Sequence, residues 1–311
     1  MTAPPSTALH DGITVFERGW LSSNNVLLHD PAQGATLVDS GHTVHAGQTL
    51  ALVRHALGEG GRLARVVNTH LHSDHCGGNA ALQREWACSI ATPPGHHAAA
   101  RAWDMATLSY EDTGQLCERF TPDAVVQPGS TLRVGRRAWQ AHAAPGHDPH
   151  SLILFDADAG VLISADALWE HGFGVVFPEL AGDSGFDEVG QVLDLIERLD
   201  ARWVIPGHGR PFGDVVGALA RARERLAGQR ADPLRHTRHA VRVMLKYHLM
   251  EVGQQAEPAL LAWFASAPLC RRAWEQLGRP GGSLPAFGRL NLGELARSGA
   301  IKAQGGVWVD A

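Results

Sequence analysis

The chain has 311 residues, 44% of them hydrophobic and 19% charged, enough for one large domain or two ordinary ones around a sizeable core. This composition excludes a disordered tail or a fibre, and no apolar run approaches the roughly 20 residues of a membrane span. The formal net charge of -5 is modest, but 18 histidines are many, and imidazole is both a common metal ligand and an acid or base near neutral pH.

Met1 to Gly12 has neither a basic start nor an apolar stretch, so no export signal is expected. Cys76, Cys88, Cys117 and Cys270 form no CxxC pair and are too few to staple a fold of this size. A reducing cytoplasm is the expected location.

Short apolar runs bounded by turn residues predict strands at Val26–Leu28, Ala35–Val38, Ala64–Asn68, Ser89–Ala91, Thr131–Val134, Trp139–His142, Ser151–Phe155, Val161–Ser164 and Arg202–Ile205. Helical spacing predicts helices at Gln48–Leu57, Asn79–Trp86, His97–Leu108 and Phe186–Leu199. Strands and helices mixed in this way imply a layered α/β domain over residues 1–212. After Pro211 the pattern changes to helices at Ala218–Gln229, His236–Met250, Pro258–Ser266 and Leu290–Ser298. A hairpin turning at Gly305 and Gly306 follows, so residues 213–311 read as a smaller winged-helix-like module. The charges divide with the pattern. Residues 213–311 carry 14 Lys/Arg and 8 Asp/Glu, a net of +6, against a net of -11 for residues 1–212.

The chemistry concentrates in Val66-Val-Asn-Thr-His70-Leu-His72-Ser-Asp74-His75. In extended backbone, residues two apart share a side, so His70 and His72 can converge on one point. A turn at Ser73 would aim Asp74 and His75 at a second point. Imidazole and carboxylate together suit a borderline divalent cation such as zinc. Three further apolar strands each deliver one such side chain just beyond their ends: Ala144-Pro-Gly-His147, Leu162-Ile-Ser-Ala-Asp166 and Val204-Ile-Pro-Gly-His208. Taken singly, each has an ordinary explanation: a surface alternation, a loop histidine, or a helix N-cap at Asp166. Together they would require four coincidences in order.

These residues, with Leu37-Val-Asp39-Ser-Gly41, resemble the metallo-β-lactamase fold hydrolases. The resemblance implies a four-layered αββα sandwich with a binuclear site. His70, His72 and His147 would hold one metal, Asp74, His75 and His208 the other, and Asp166 would bridge them. Asp39 would orient a ligand imidazole. Two zinc ions are expected, with iron or manganese as the other metals this donor set accepts. The implied reaction is hydrolysis of an ester, thioester or lactone by a metal-bridged hydroxide, with Asp74 as the catalytic residue that orients the nucleophile or moves its proton.

The expected partner is a small acyl substrate. Two segments are candidate walls for it: Ala98–Phe120, with Trp103 and Tyr110, and Trp169–Leu180, with Trp169, His171, Phe173 and Phe177. His150 adjoins the His147 turn and is a further candidate. Lactonases of this fold place a tyrosine shortly after the bridging aspartate, where this chain has Trp169. Glyoxalase II enzymes carry the same seven ligands and basic and tyrosine residues near the C-terminus, where Lys246-Tyr247 stands. Two other function classes remain open. One is an endoribonuclease using Arg221, Arg223, Arg225, Arg230, Arg235, Arg238 and Arg242 on RNA; the other is a non-catalytic metal-binding sensor. Docking of the basic module on its own acidic domain, or on a second copy in a homo-oligomer, ranks ahead of nucleic acid, and no membrane partner is expected. The other histidines, including His10, His96, His236 and His239, are expected to be solvent-facing or structural.

Overall fold

The short apolar runs pair into two sheets. The computed structural model describes residues 11–311, so His10 and most of the opening segment lie outside the described residues. The first sheet places six strands side by side in chain order: β1 (Ile13–Phe16), β2 (Asn25–Leu28), β3 (Ala35–Val38), β4 (Leu63–Val67), β5 (Ser89–Thr92) and β6 (Ala124–Val125). The second contains β7 (Thr131–Val134), β8 (Arg137–Ala143), β9 (Leu152–Asp156), β10 (Val161–Ala165) and β11 (Trp203–Pro206), in the order β11-β10-β9-β8-β7. Strands β3 to β6 run parallel, as do β10 and β11.

Period-two alternation sorts the strand side chains into layers. Val26, Leu28, Val38 and Val67 pack between the sheets against Trp139, Leu152, Leu154 and Ile163. Their neighbours Leu27, Leu37 and Val66 pack on the outer side with helices α1 (Ala46–Leu57), α2 (Ser73–Cys76), α3 (Asn79–Trp86) and α4 (Pro94–Ala102). After the short helices α5 (Tyr110–Thr113) and α6 (Phe177–Ala181), α7 (Phe186–Leu199) and α8 (Val215–Ala231) cover the second sheet. There Ile153, Phe155, Leu162 and Val204 meet Val189, Val192, Leu193 and Ile196 of α7 and Ala218, Leu219, Ala222 and Leu226 of α8. Each large apolar side chain so buried contributes about 2 kcal/mol. The result is the expected four-layered αββα sandwich.

Asp232 ends α8 and starts the next helix: its carboxylate accepts from the Arg235 N–H, and Pro233 occupies the first turn of α9 (Pro233–Val252). A second core follows, built on α9, α10 (Glu257–Ser266), α11 (Pro268–Gln276) and α12 (Leu284–Arg297). Strands β12 (Gln254–Ala256), β13 (Ile301–Gln304) and β14 (Val307–Asp310) close it as a small sheet ordered β12-β14-β13. Val175 and Leu180, from the segment after β10, belong to this second core, so the C-terminal region is seated on the sandwich beside the strand ends. Among the described residues no helix is long and apolar enough to cross a membrane.

Candidate metal centre

The strand ends β3, β4, β8, β10 and β11 deliver polar side chains to one edge of the sandwich. Beyond β4, His70, His72, Asp74 and His75 occupy the loop and α2; His147, Asp166 and His208 follow β8, β10 and β11. They meet as two groups, His70 with His72 and His147, and Asp74 with His75, Asp166 and His208. In each group one ligand-capable atom per residue lies within 4.8 Å of every other. All seven are at most 9% exposed.

The Asp166 carboxylate faces both groups. Its Oδ2 lies 3.3 Å from His147 Nε2, and its Oδ1 lies 3.5 Å from His75 Nε2 and 3.8 Å from His208 Nε2. Ala165, in the left-handed region at φ 47°, makes the turn that aims it there. Gly207 is required by the same close approach: a Cβ at that position would lie 2.1 Å from Asp166 Oδ1.

Hydrogen bonds fix which ring nitrogens face inward. His147 Nδ1–H donates to the Val175 carbonyl at 2.5 Å, which turns Nε2 toward His72 Nδ1, 2.8 Å away. His75 Nδ1–H donates to Asp39 Oδ2 at 2.8 Å, and that carboxylate also accepts from the Thr69 N–H and hydroxyl, both at 2.8 Å. The inward Nε2 of His70 is buried without a hydrogen-bond partner. Orphaned imidazole nitrogens are costly unless something outside the protein occupies them. With imidazole and carboxylate as the donor set, a divalent transition metal in each group fits these residues.

The electrostatics agree. Burial, with the neighbouring His75, His72 and His147, holds His70 well below the usual imidazole range; burial and His147 bring His72 down to about 4. Both therefore keep free lone pairs. Burial alone would raise the Asp74 carboxyl, but His75 and His208 outweigh it and bring it down to about 2. His75 is the exception: burial opposes its charge, but Asp166, Asp39 and Asp74 hold it well above the ordinary value.

A cavity of about 850 Å³ opens over this centre. His72, Asp74, His147, Asp166 and His208 line it, as do Trp169, His171 and Phe177 among the expected pocket residues. Phe177 packs edge-on against His72 and His147, with ring centroids at 4.8 and 5.5 Å. Four expected wall residues do not line this cavity. Trp103 packs tilted against Tyr110 and edge-on against Phe120 in the outer core of the first sheet. Tyr110 is 2% exposed and spends its hydroxyl on the Leu71 carbonyl. Phe173 is buried in the core under α8, and His150 packs against His96 and over Gly95, where a Cβ would meet its ring at 2.2 Å. Of Ala98–Phe120, only Gln115 reaches the cavity. The rest of that segment serves as a seat: Asp112 pairs with Arg272, the Leu116 N–H donates to Glu251, and the Gly114 carbonyl accepts from Trp263 Nε1–H.

Other lining residues come from distant parts of the chain, and Trp20 among them carries no local sequence signal. Trp20 stacks on His208 with ring centroids 5.5 Å apart and planes 12° from parallel. From α9 come Tyr247, whose hydroxyl is 2.8 Å from Ser73 Oγ, and Lys246, Arg242 and His239; Arg225 comes from α8. Tyr247 stands beside Lys246 in the pair noted in the sequence, but only tertiary packing puts it on the wall of this cavity.

The chain belongs to the metallo-beta-lactamase superfamily, whose sequence model matches residues 18–208. Among curated proteins it is 32% identical over 152 residues to a hydroxyacylglutathione hydrolase of Rhodopseudomonas palustris strain BisB5, covering 49% of this chain and 50% of the relative. A second such hydrolase, from Nitrobacter winogradskyi, is 33% identical over 153 residues, covering 49% and 50%. A Bos taurus acyl-coenzyme A thioesterase is 28% identical over 169 residues, covering 48% and 57%. The chain spans about half the length of the curated relatives it matches. Among solved structures, a metallo-beta-lactamase family protein from Thermus thermophilus shares the fold with a TM-score of 0.57 at 21% identity, over 96% of this chain and 99% of that one.

Proposed function

We propose that the chain is a metal-dependent hydrolase of acyl thioesters. The observation that carries this reading is the Asp166 carboxylate, set with one oxygen toward each of two buried imidazole-rich groups on the floor of an open cavity. In this assignment His70, His72 and His147 hold one cation, Asp74, His75 and His208 the other, and Asp166 contributes to both. Two bound divalent cations would supply Lewis acidity toward the acyl oxygen and acidify water at neutral pH. Zinc is the metal favoured by the donor set.

The chain's own residues supply the rest. Asp39 keeps His75 Nδ1 protonated and its Nε2 turned to the centre. Asp74, ionised and lining the cavity, accepts a hydrogen bond from the attacking water. Trp20, Trp169 and Phe177 form an apolar rim that takes the acyl group and limits water around it. The thioester bond is favoured over ester or lactone by the names of the curated relatives. We take the hydrolase unit to include α8, because that helix shares the apolar core of α7, and the winged-helix-like module to begin at α9.

The test is metal analysis together with a panel of acyl-glutathione, acyl-coenzyme A, aryl ester, lactone and single-stranded RNA. About two transition metals per chain and thioester turnover, both lost in Asp166→Ala, are expected. A metal-free preparation with undiminished turnover, or RNA cleavage without thioester cleavage, would overturn the reading.

A further inference from the structure

A second cavity, of about 590 Å³, lies between α8 and α9 and shares a wall with the first: Arg225, His239 and Arg242 line both. Beyond that wall it is lined by Arg221, Arg235 and Gln229. Glu224 is the only acidic residue lining it.

Most arginines of this region are already neutralised. Arg223 binds Asp194 and Glu197, Arg230 binds Asp187, Arg238 binds Asp232, and Arg221 binds Asp214. The cavity arginines differ. The side chains of Arg235 and Arg242 make no hydrogen bond or ion pair among the described residues. Arg225 lies over the Phe173 ring at 5.1 Å and reaches only His239 Nε2, at 3.4 Å. Burial lowers Arg225 from the ordinary guanidinium range without neutralising it, whereas burial, with Arg225 and Arg242 nearby, brings His239 down to about 4; His239 is a neutral imidazole, and the positive charge of the wall rests on Arg225 and Arg242, neither of them ion-paired to a carboxylate. Unpaired guanidinium groups around a pocket suit a ligand that carries anionic oxygens.

Resting on the thioester reading above, we infer that this cavity binds the carrier half of the substrate, and that the carrier is a phosphorylated thiol of the coenzyme A type. Guanidinium forks match phosphate oxygens bidentately. Glutathione fits less well, since its ammonium group would need a carboxylate and Glu224 alone, between Arg221 and Arg225, is at hand. The acyl end then enters the first cavity across the shared wall and reaches the metal centre.

Free coenzyme A and pantetheine, the same thiol without phosphates, separate this inference from its alternatives. Calorimetry on the full-length protein should show coenzyme A binding at least about tenfold more tightly than pantetheine. Arg242→Gln and Arg235→Gln should bring that ratio toward one, and Arg242→Lys should restore part of it. With acyl thioesters, Arg235→Gln, which lines the second cavity alone, should raise KM for the coenzyme A ester while KM for the pantetheine ester stays near that of the wild type. Equal affinities for the two thiols, or ratios unmoved by the variants, would overturn the inference. So would an RNA oligonucleotide that binds through these arginines and excludes coenzyme A. Preferred turnover of acyl-glutathione, indifferent to the variants, would overturn it and leave the thioester reading standing. Arginine-dependent binding of coenzyme A without hydrolysis of any thioester would instead remove the hydrolase reading and support the carrier site.

Discussion

Replacing Asp39 by asparagine tests whether the metal centre depends on the tautomer of one ligand. The Asp39 carboxylate is buried and accepts three hydrogen bonds of 2.8 Å, two from Thr69 and one from His75 Nδ1–H. Its backbone is left-handed, with φ 57°, a conformation asparagine also tolerates, so Asp39→Asn adds no backbone strain. An amide has one acceptor oxygen, which stays on the Thr69 N–H; the Thr69 hydroxyl can rotate, its Oγ1 being 3.1 Å from His70 Nδ1. His75 has no such freedom. Its Nδ1–H would face an N–H, and when the ring is neutral its proton shifts to Nε2, the nitrogen that faces Asp166 at 3.5 Å. In metal-free protein, where Asp166 and Asp74 still favour the charged ring, the loss of stability should stay near one charge-assisted hydrogen bond, about 2 kcal/mol. Cation binding suffers more, because it needs the Nε2 lone pair that the neutral ring no longer offers. Affinity at the group containing His75 should fall about 10- to 100-fold, or about 1.4 to 2.7 kcal/mol. The assay is competition with a chromogenic chelator on metal-stripped wild type and variant, with urea melts run with and without zinc. Metal affinity within twofold of wild type, at any change in stability, would refute the tautomer argument.

Gly207→Ala places a Cβ 2.1 Å from Asp166 Oδ1 and 3.0 Å from His75 Cε1, so bound metal measured by mass spectrometry should fall below half the wild-type content, while Ala substitution at the open Gly228 leaves it unchanged. Trp20 is 59% exposed and stacked on His208, so Trp20→Ala should change folding stability by less than about 0.5 kcal/mol but raise KM for long acyl chains several-fold; an unchanged KM would remove Trp20 from the pocket. His236 accepts the Val176 N–H at 3.0 Å, and burial, with His239 and Arg225 nearby, brings it down to about 4. Its folded value lies below its unfolded one, so the stability it contributes is present above about pH 6.5 and is lost as pH falls toward 4. The full loss is about 3 kcal/mol, and His236→Gln should flatten the urea midpoint over that window; equal pH slopes for the two proteins would refute the assignment.

The features legible in the sequence are those encoded over a few residues. Helix α7 was readable because Val189, Val192, Leu193 and Ile196 repeat at helical spacing, and all four are buried on one face. The seven clustered residues were readable because each follows an apolar strand in a short motif. The errors arise where the deciding interaction is distant. A helix expected over His97–Leu108 runs instead from Pro94 to Ala102, because Trp103 turns left-handed at φ 60°. The sequence pattern predicts the last long helix from Leu290, but it starts at Leu284, capped by Ser283, with Gly288 inside it; its missing Cβ lets Leu261 and Phe264 approach, a contact no local pattern records. Trp103 and Phe173 are aromatic and near the motifs, but chain proximity does not fix which face of a layer a side chain occupies. Tyr247 lies 174 positions from the Ser73 it touches, beyond the reach of any spacing argument.

The opposite charges of the two parts of the chain acquire a physical meaning once the ion pairs are followed. Much of the basic excess that begins in α8 is used inside the molecule: Arg223 and Arg230 grip acidic residues of α7, and Arg272 grips Asp112. These pairs are largely exposed, so each adds at most about 1 kcal/mol, and their effect is to orient α8 on the sandwich more than to stabilise it. Nucleic-acid binding through the whole arginine set would have to compete with those carboxylates and with the acidic sandwich around them. The arginines left without an acidic partner at the cavity, Arg225, Arg235 and Arg242, do not spread over an open face; they converge on the space between α8 and α9. A polymer needs a stripe of charge along a surface, whereas a small anion needs a few cations around a pocket. The distribution that remains after internal pairing is of the second kind, and it adjoins the cavity over the metal centre.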